Sequence, residues 1–211
     1  MTEATDTGAG RRIAAGRRWG MVLGVAIAVI ALDQLSKRWA LDRLSTGDVV
    51  DLIGSLRFKL AFNTGMAFSK GSGAGAIIGM VALGIVAVLA LVARKVESRV
   101  QLVLIGIVMG GALGNIIDRL TRVGELNPFT GETATGFMSG AVVDFIDVQW
   151  WPVFNVADAA VVCGGIALAI LSARAPAEPD PVDDEPGDNE PGESEPGDAA
   201  GVADGPDPSA P

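Results

Sequence analysis

Four long apolar segments dominate this chain. Each is close to the roughly 20 residues that an α-helix needs to cross the hydrocarbon core of a bilayer, and they cover residues 19–41, 74–93, 100–120 and 153–173. The first could be the apolar region of a secretory signal peptide. However, no small-residue cleavage site follows closely, and the apolar pattern resumes through Trp39 and Leu41. The pattern therefore predicts an all-α polytopic membrane protein with four transmembrane helices.

A different pattern occupies residues 45–70, between the first two predicted helices. Apolar positions alternate there with more polar ones, at Leu56, Phe58, Leu60 and Phe62. A period of two residues is typical of a strand with one apolar face, and the run from Asn63 to Gly65 then predicts a turn. We expect a small β element outside the membrane, at its surface.

The two ends of the chain differ from its body in composition. Residues 1–18 are small, polar and Gly-rich with four arginines, which predicts a disordered basic arm. Residues 175–211 carry 12 acidic residues, no Lys or Arg, and a repeated Glu-Pro-Gly, which predicts a disordered acidic tail. Without those 12 acidic residues the net charge changes from -9 to +3. The predicted membrane domain, residues 19–174, is therefore mildly basic.

Basic residues indicate how the domain is oriented in the membrane. They cluster before the first helix, between the second and third helices at Arg94, Lys95 and Arg99, and after the fourth helix at Arg174. Because cytoplasmic flanks are enriched in Lys and Arg, both termini are predicted to be cytoplasmic. The β element and the segment 121–151, which ends in two tryptophans suited to a membrane interface, are then extracytoplasmic.

Polar residues interrupt the apolar helices at one predicted depth. Given this orientation, carboxylates and amides from four remote segments fall near the outer leaflet, at Asp33, Asn115, Asp118, Asp144, Asn155 and Asp158. A charged side chain within a transmembrane helix costs at least ~2–3 kcal/mol. Snorkelling at a helix end could explain any one of them, but aspartate is short, and several at one depth favour a functional site.

The side chains available limit the chemistry of such a site. The chain has no His and no Tyr, and its single cysteine, Cys163, is predicted to be a small buried hydrophobe. A zinc site of His and Cys ligands is thereby excluded. A Ser36–Lys37 catalytic pair is disfavoured because adjacent residues on a helix point about 100° apart. Paired aspartates remain, and two close carboxylates can share a proton and activate water.

The remaining interpretations concern helix packing and alternative functions. Gly110 and Gly114 form a G-x-x-x-G motif, which permits close backbone approach in a membrane, while Met109, Met138 and Phe154 are expected to pack only. A small proton-coupled transporter would also contain intramembrane carboxylates, but the expected inverted repeat is not evident. A non-enzymatic assembly factor with a polar packing network is the other alternative.

Five sequence blocks together resemble the lipoprotein signal peptidases, the type II signal peptidases of bacteria. They are Asp33-Gln34-Leu35-Ser36-Lys37, Asn63-Thr64-Gly65-Met66-Ala67-Phe68, the run from Gly110 to Arg119, Val142-Val143-Asp144-Phe145, and Phe154-Asn155-Val156-Ala157-Asp158. The blocks span the whole predicted membrane domain, in order and at compatible spacing. The loop 121–141 and the tail are not matched.

The resemblance implies a membrane aspartyl endopeptidase of the bacterial cytoplasmic membrane. Such an enzyme removes the signal peptide from a diacylglyceryl-modified prolipoprotein, cleaving before the lipidated Cys on the outer side of the membrane. The catalytic pair falls on Asp144 and Asp158. The substrate-binding or supporting positions fall on Asp33, Lys37, Asn63, Gly65, Asn115, Asp118, Arg119 and Asn155. Asp147 lies outside the motif and is interpreted as a loop residue. We expect a monomer that contacts membrane lipid, without metal, cofactor or nucleic acid.

Overall fold

Long helices and short strands alternate along the chain in the computed structural model, which describes residues 14–65, 74–131, 133 and 135–174. The elements are α1 (Ala15–Leu44), β1 (Val49–Ile53), β2 (Leu56–Asn63), α2 (Ala74–Ala93), α3 (Arg99–Thr121), β3 (Val142–Asp147) and α4 (Val156–Ala173). All four helices are long and apolar enough to cross a membrane. The predicted fold class, four transmembrane helices with a small β element, is confirmed.

The boundaries of the first helix differ from the prediction. α1 begins at Ala15 and ends at Leu44, so it extends beyond both ends of the predicted segment 19–41. Residues 15–18, assigned to the basic arm from sequence, form its first turn. Charged residues interrupt the apolar stretch at both ends of α1 without ending the helix, no Pro lies there, and Gly16 is accommodated in the first turn. Residues 1–13, 66–70 and the predicted acidic tail lie outside the described residues.

α3 is the central helix and packs against α1, α2 and α4. Its contact with α1 is close because glycines recur every fourth residue. A Cβ atom added to Gly106 would lie 2.8 Å from the Val22 carbonyl oxygen, and one added to Gly110 would lie 2.7 Å from that of Ala26. At Gly114 the added atom would lie 2.6 Å from Oδ2 of Asp33. The predicted close backbone approach at the G-x-x-x-G motif is confirmed. The same row of α3 glycines allows Asp33 of α1 to lie against α3.

The β element is an antiparallel sheet of three strands in the order β1-β2-β3. β2 is the central strand, and it pairs Ala61 with Asp144 and Asn63 with Val142 of β3. The sequence prediction contained β2 but missed β3, which was interpreted as part of a loop. β3 is buried along nearly its whole length, so it lacks the alternation that marks a half-exposed strand.

The sheet packs against the end of α1 through an apolar cluster. Ala40 and Leu44 of α1 contact Leu60, Val143 and Phe145, and all five side chains are buried. Trp39 adds edge-to-face ring contacts with Phe58 and Phe145. The packing places Asp144 beside the helix ends that carry the other polar residues.

Elsewhere, Cys163 is exposed on α4, so its predicted burial was wrong.

Candidate active site

Asp144 is held by the middle of β3 and is 2% exposed. Its Oδ1 accepts a hydrogen bond of 2.7 Å from Nδ2 of Asn155. Burial and, after it, the nearby charge of Asp158 together raise the pKa of Asp144 to about 7, against hydrogen bonds from Asn155 and Asn63 that favour the charged form. A carboxyl group in this position can hold or release a proton near neutral pH.

Asp158 lies in the first turn of α4, where Asn155 caps the helix. The backbone N–H of Asp158 donates to Oδ1 of Asn155 at 2.9 Å, and the backbone N–H of Asn155 donates to Oδ2 of Asp158 at 3.2 Å. This reciprocal capping box satisfies two amides that the start of a helix otherwise leaves without partners. It also holds the Asp158 carboxylate, whose Oδ1 accepts a further bond of 2.7 Å from Nδ2 of Asn115.

The capping box determines which way the Asn155 amide points. Its oxygen accepts from the backbone of α4, so its nitrogen faces Asp144 and also lies 3.1 Å from Oδ1 of Asn115. Asn155 therefore donates to Asp144, and Asn115 donates to Asp158. Two asparagines from different helices thus orient the two carboxylates.

Lys37 forms a buried charged cluster behind these amides. The side chain is 1% exposed, and its ammonium lies 2.8 Å from Oδ2 of Asp33 and 2.8 Å from Oδ2 of Asp118. Its third hydrogen bond, of 2.9 Å, is donated to Oδ1 of Asn115. All three donors of the ammonium are therefore used. The third bond occupies the Asn115 oxygen and leaves the Asn115 nitrogen for Asp158.

The two carboxylates bound to Lys37 also hold the backbone of the site. Oδ1 of Asp33 accepts from the backbone N–H of Ala157 at 3.0 Å, and Oδ2 of Asp118 accepts from that of Val143 at 3.2 Å. Ala157 and Val143 are the chain neighbours of Asp158 and Asp144. The cluster therefore connects α1 and α3 to the two segments that present the aspartates.

A cavity of about 190 Å³ lies beside this network. Four polar side chains line it, those of Asn63, Asn115, Arg119 and Asp158, while its remaining lining is small or apolar and comes from α2, α3 and β3. Asp144 is not part of the lining. The cavity is therefore polar on the side of the aspartates and apolar on the side of α2.

Every predicted site residue lies in this network or beside it. The structure also shows three properties of individual residues that the sequence did not reveal. Gly65 has a φ of +80° and its N–H donates to Oδ1 of Asn63 at 3.0 Å, so it shapes the turn that presents Asn63. Arg119 was assigned to a substrate-binding or supporting position, and its Nη1 is buried and without a hydrogen-bond partner among the described residues. Asp147 ends β3 and pairs with Arg57 at 2.8 Å, so it is not a loop residue.

Gln34 is a further member of the network that sequence reasoning missed. Its Nε2 lies 3.2 Å from Oδ2 of Asp33, Oδ1 of Asp118 and the Gly114 carbonyl oxygen. The signal was available, because Gln34 lies between Asp33 and Lys37 in the first sequence block. Among the described residues, no three His, Cys, Asp or Glu side chains are arranged to hold a metal ion.

The fold and the site define an integral membrane protein with two carboxylates held by amides at one end of a four-helix bundle. A sequence model of signal peptidase (SPase) II matches residues 25–174. The chain belongs to the signal peptidase II family, and is therefore a bacterial membrane protease of lipoprotein processing. The predicted resemblance is confirmed.

Curated relatives and solved structures agree with this family. The chain is 39% identical to a lipoprotein signal peptidase of Mycobacterium tuberculosis over 171 residues, covering 81% of this chain and 79% of the relative. It is 38% identical to one from Streptomyces coelicolor over 159 residues, covering 75% and 72%. A solved structure described as a bacterial membrane enzyme at 1.9 Å resolution is 26% identical, with a TM-score of 0.59, covering 74% of this chain and 95% of that one.

Proposed function

We propose that this protein is an aspartic endopeptidase that cleaves diacylglyceryl-modified prolipoproteins before the lipidated Cys, using Asp144 and Asp158 to activate water. The observation that carries the proposal is the pairing itself. Two carboxylates from separate segments each accept an amide hydrogen bond, and the charge of Asp158 helps to raise the pKa of Asp144 to about 7. Such a pair shares a proton near neutral pH.

The proton is placed on Asp144 in the resting enzyme, and Asp158, which accepts hydrogen bonds on both oxygens, acts as the base. Asp158 takes a proton from water as the water oxygen attacks the carbonyl carbon preceding the Cys. Asp144 gives its proton to the carbonyl oxygen. The C–N bond then breaks as Asp158 protonates the leaving nitrogen, and Asp144 recovers its proton from the hydroxyl group. No covalent intermediate with the enzyme forms.

The two walls of the cavity suit the side chains and the backbone of such a substrate. The apolar wall from α2, including Ile78 and Ala82, faces apolar side chains of the signal peptide. On the opposite wall, Asn63 and Arg119 supply N–H donors for peptide carbonyls, and one guanidinium nitrogen of Arg119 has no partner among the described residues. A buried donor without a partner costs about 1–3 kcal/mol, so a bound carbonyl oxygen would be favoured there.

In the membrane, we place both termini in the cytoplasm and the sheet with the site at the extracytoplasmic face. Support comes from the basic residues near the opposite end of the bundle, such as Arg94 and Arg99. At the sheet end, Trp150 and Trp151 are 76% and 61% exposed, as expected of side chains that lie in the lipid headgroup region. A substrate anchored by its acyl chains would then reach the site from the outer leaflet, and a monomer suffices.

The test is a gel-shift cleavage assay with Asp144→Asn and Asp158→Asn, using a diacylglyceryl-modified precursor and its unmodified form. We expect both variants to fold and neither to cleave, while the wild type cleaves the modified precursor alone. Asp147→Asn is the matched control, because it makes the same chemical change in the same strand outside the site. Retained cleavage in either catalytic variant would refute the proposal. Loss of folding without selective loss of turnover would favour the assembly factor instead.

A further inference from the structure

The inward position of Arg119 needs a physical cause. This residue lies two positions before the end of α3, where a long cationic side chain ordinarily extends towards water. Arg119 is instead 4% exposed and lines the cavity beside Asp158. No hydrogen bond from its side chain to a described residue holds it there, and its Nη1 has no partner among them. The charges of Asp144, Asp158 and Asp118 attract the guanidinium to this side of α3, and packing contacts determine where it lies at the cavity wall.

Met138 supplies these contacts together with two glycines of α2. A Cβ atom added to Gly79 would lie 2.6 Å from Cε and 3.1 Å from Sδ of Met138, and 3.6 Å from Cδ of Arg119. One added to Gly75 would lie 2.9 Å from Nη1 of Arg119 and 3.1 Å from the Met138 carbonyl oxygen. Gly75 and Gly79 are one turn apart, so they form a shallow groove on α2 that receives both residues.

The backbone of Met138 has an unfavourable conformation, which indicates that contacts around the residue hold it in place. It has a φ of +53°, in the left-handed region that favours glycine. A non-glycine residue there costs ~1 kcal/mol or more and persists when its surroundings hold it. The backbone two residues further on is held against α3, because the Gly140 N–H donates to the Arg119 carbonyl oxygen at 3.1 Å. Met138 is nonetheless completely buried, and its side chain fills the groove.

We propose that Met138 is a positioning residue, whose side chain in the Gly75–Gly79 groove holds the Arg119 guanidinium at the cavity wall for the substrate peptide. The thioether and the stem of Arg119 both lie against Gly79 of α2, and in this proposal the thioether restricts outward movement of that stem. The inference rests on the proposed function, since it assigns Arg119 to the bound peptide. It also gives a role to the connection between α3 and β3, which lies between the five sequence blocks of the family resemblance.

The test is a double-mutant cycle on the purified full chain, with a diacylglyceryl-modified precursor peptide as substrate. Met138→Ala should lower kcat/KM by about tenfold through a raised KM, because a misplaced binding group weakens substrate positioning. Met138→Leu keeps the volume and should stay within about threefold of the wild type. In an Arg119→Gln background, Met138→Ala should have no further effect, because the group that Met138 positions is already gone.

A purely structural role for Met138 predicts a different pattern. Its loss would then lower kcat/KM by the same factor in both backgrounds, and that result, or an unchanged KM in Met138→Ala, would overturn the inference. Leu102→Ala is the matched control, since Leu102 is also completely buried but belongs to a cluster with Val22 and Ile105 away from the site. It should lower thermal stability without changing KM.

One further variant keeps the test decisive. Met138→Gly removes the same side chain but relieves the left-handed backbone, so it replaces the alanine variant if that variant does not fold. Failure of the proposed function itself would look different. The wild type would then not cleave the modified precursor, or Asp144→Asn would retain activity.

Discussion

Replacing Asp144 by Asn should inactivate the enzyme and at the same time stabilise it at alkaline pH. Asp144 is 2% exposed, and its carboxylate lies near the charge of Asp158. Both effects oppose ionisation in the folded state. Asparagine keeps an oxygen to accept from Nδ2 of Asn155, and it offers an N–H group towards Asp158 in place of a second negative charge. The substitution therefore removes a destabilising charge while preserving the shape of the site.

The magnitude follows from the pKa of Asp144, which rises from 3.8 to about 7 in the folded state. Each pKa unit corresponds to ~1.4 kcal/mol, so the ionised carboxylate costs the folded state about 4 kcal/mol at pH 8. Because the folded pKa lies above the unfolded value, this cost is absent below about pH 4. It grows as the pH rises and is complete above about pH 7. Asp144→Asn should therefore gain stability over the wild type across that interval.

The assay is thermal unfolding of the wild type and the variant in one detergent, from pH 4 to pH 8.5. At pH 8 the variant should melt ~10 °C higher, and the difference should shrink towards zero near pH 4. Asp147→Asn is the control with the opposite sign. Its hydrogen bond from Arg57 lowers the pKa of Asp147, so its stabilising effect is present throughout this range and is lost only at more acidic pH. That variant should be less stable than the wild type by a pH-independent amount.

A pH-independent difference between Asp144→Asn and the wild type would refute the reasoning. It would mean that the carboxylate of Asp144 ionises as easily in the folded state as in the unfolded chain. A variant that is less stable than the wild type at pH 8 would contradict it equally. Activity measured on the same preparations separates the two effects, since loss of cleavage with gained stability identifies a residue retained for chemistry.

Three other predictions follow from the same geometry. The kcat/KM for the modified precursor should fall as the pH rises above about 7, because Asp144 then loses its proton; a flat profile from pH 6 to pH 9 would contradict this. Lys37→Met should lower the free energy of unfolding by about 3–5 kcal/mol, because it leaves the buried carboxylate of Asp33 without its cation and that of Asp118 with only Arg122, at 3.8 Å, and a loss below ~1 kcal/mol in chemical unfolding would contradict it. Gly111→Ala should reduce cleavage, since its Cβ would lie 2.5 Å from the Ala157 carbonyl oxygen, next to Asp158. Gly165→Ala has open space around its Cβ and should leave cleavage unchanged.

Much of the site could be predicted from sequence, but by two different routes. Helical spacing predicts that Asp33 and Lys37 share a face, and they form an ion pair in the structure. The pairing of Asp144 with Asp158 came from the family resemblance, since no local period relates a strand residue to a helix residue. Arg119 was placed in the correct helix, yet the position of its guanidinium at the cavity wall could not be predicted, because it depends on contacts with remote residues such as Gly75 and Gly79 of α2.

The sequence by itself determined the four membrane spans and the helix faces on which the polar residues lie. Both are local properties, since the length of an apolar segment and the 3.6-residue period need no knowledge of distant residues. The tertiary structure decided that β3 joins the sheet and that each aspartate receives an amide donor. It also decided which way those amides point. The physical reason is that an asparagine's orientation depends on which partner occupies its oxygen, and here those partners are the backbone of α4 and the ammonium of Lys37, brought from α1 by close packing on the glycines of α3.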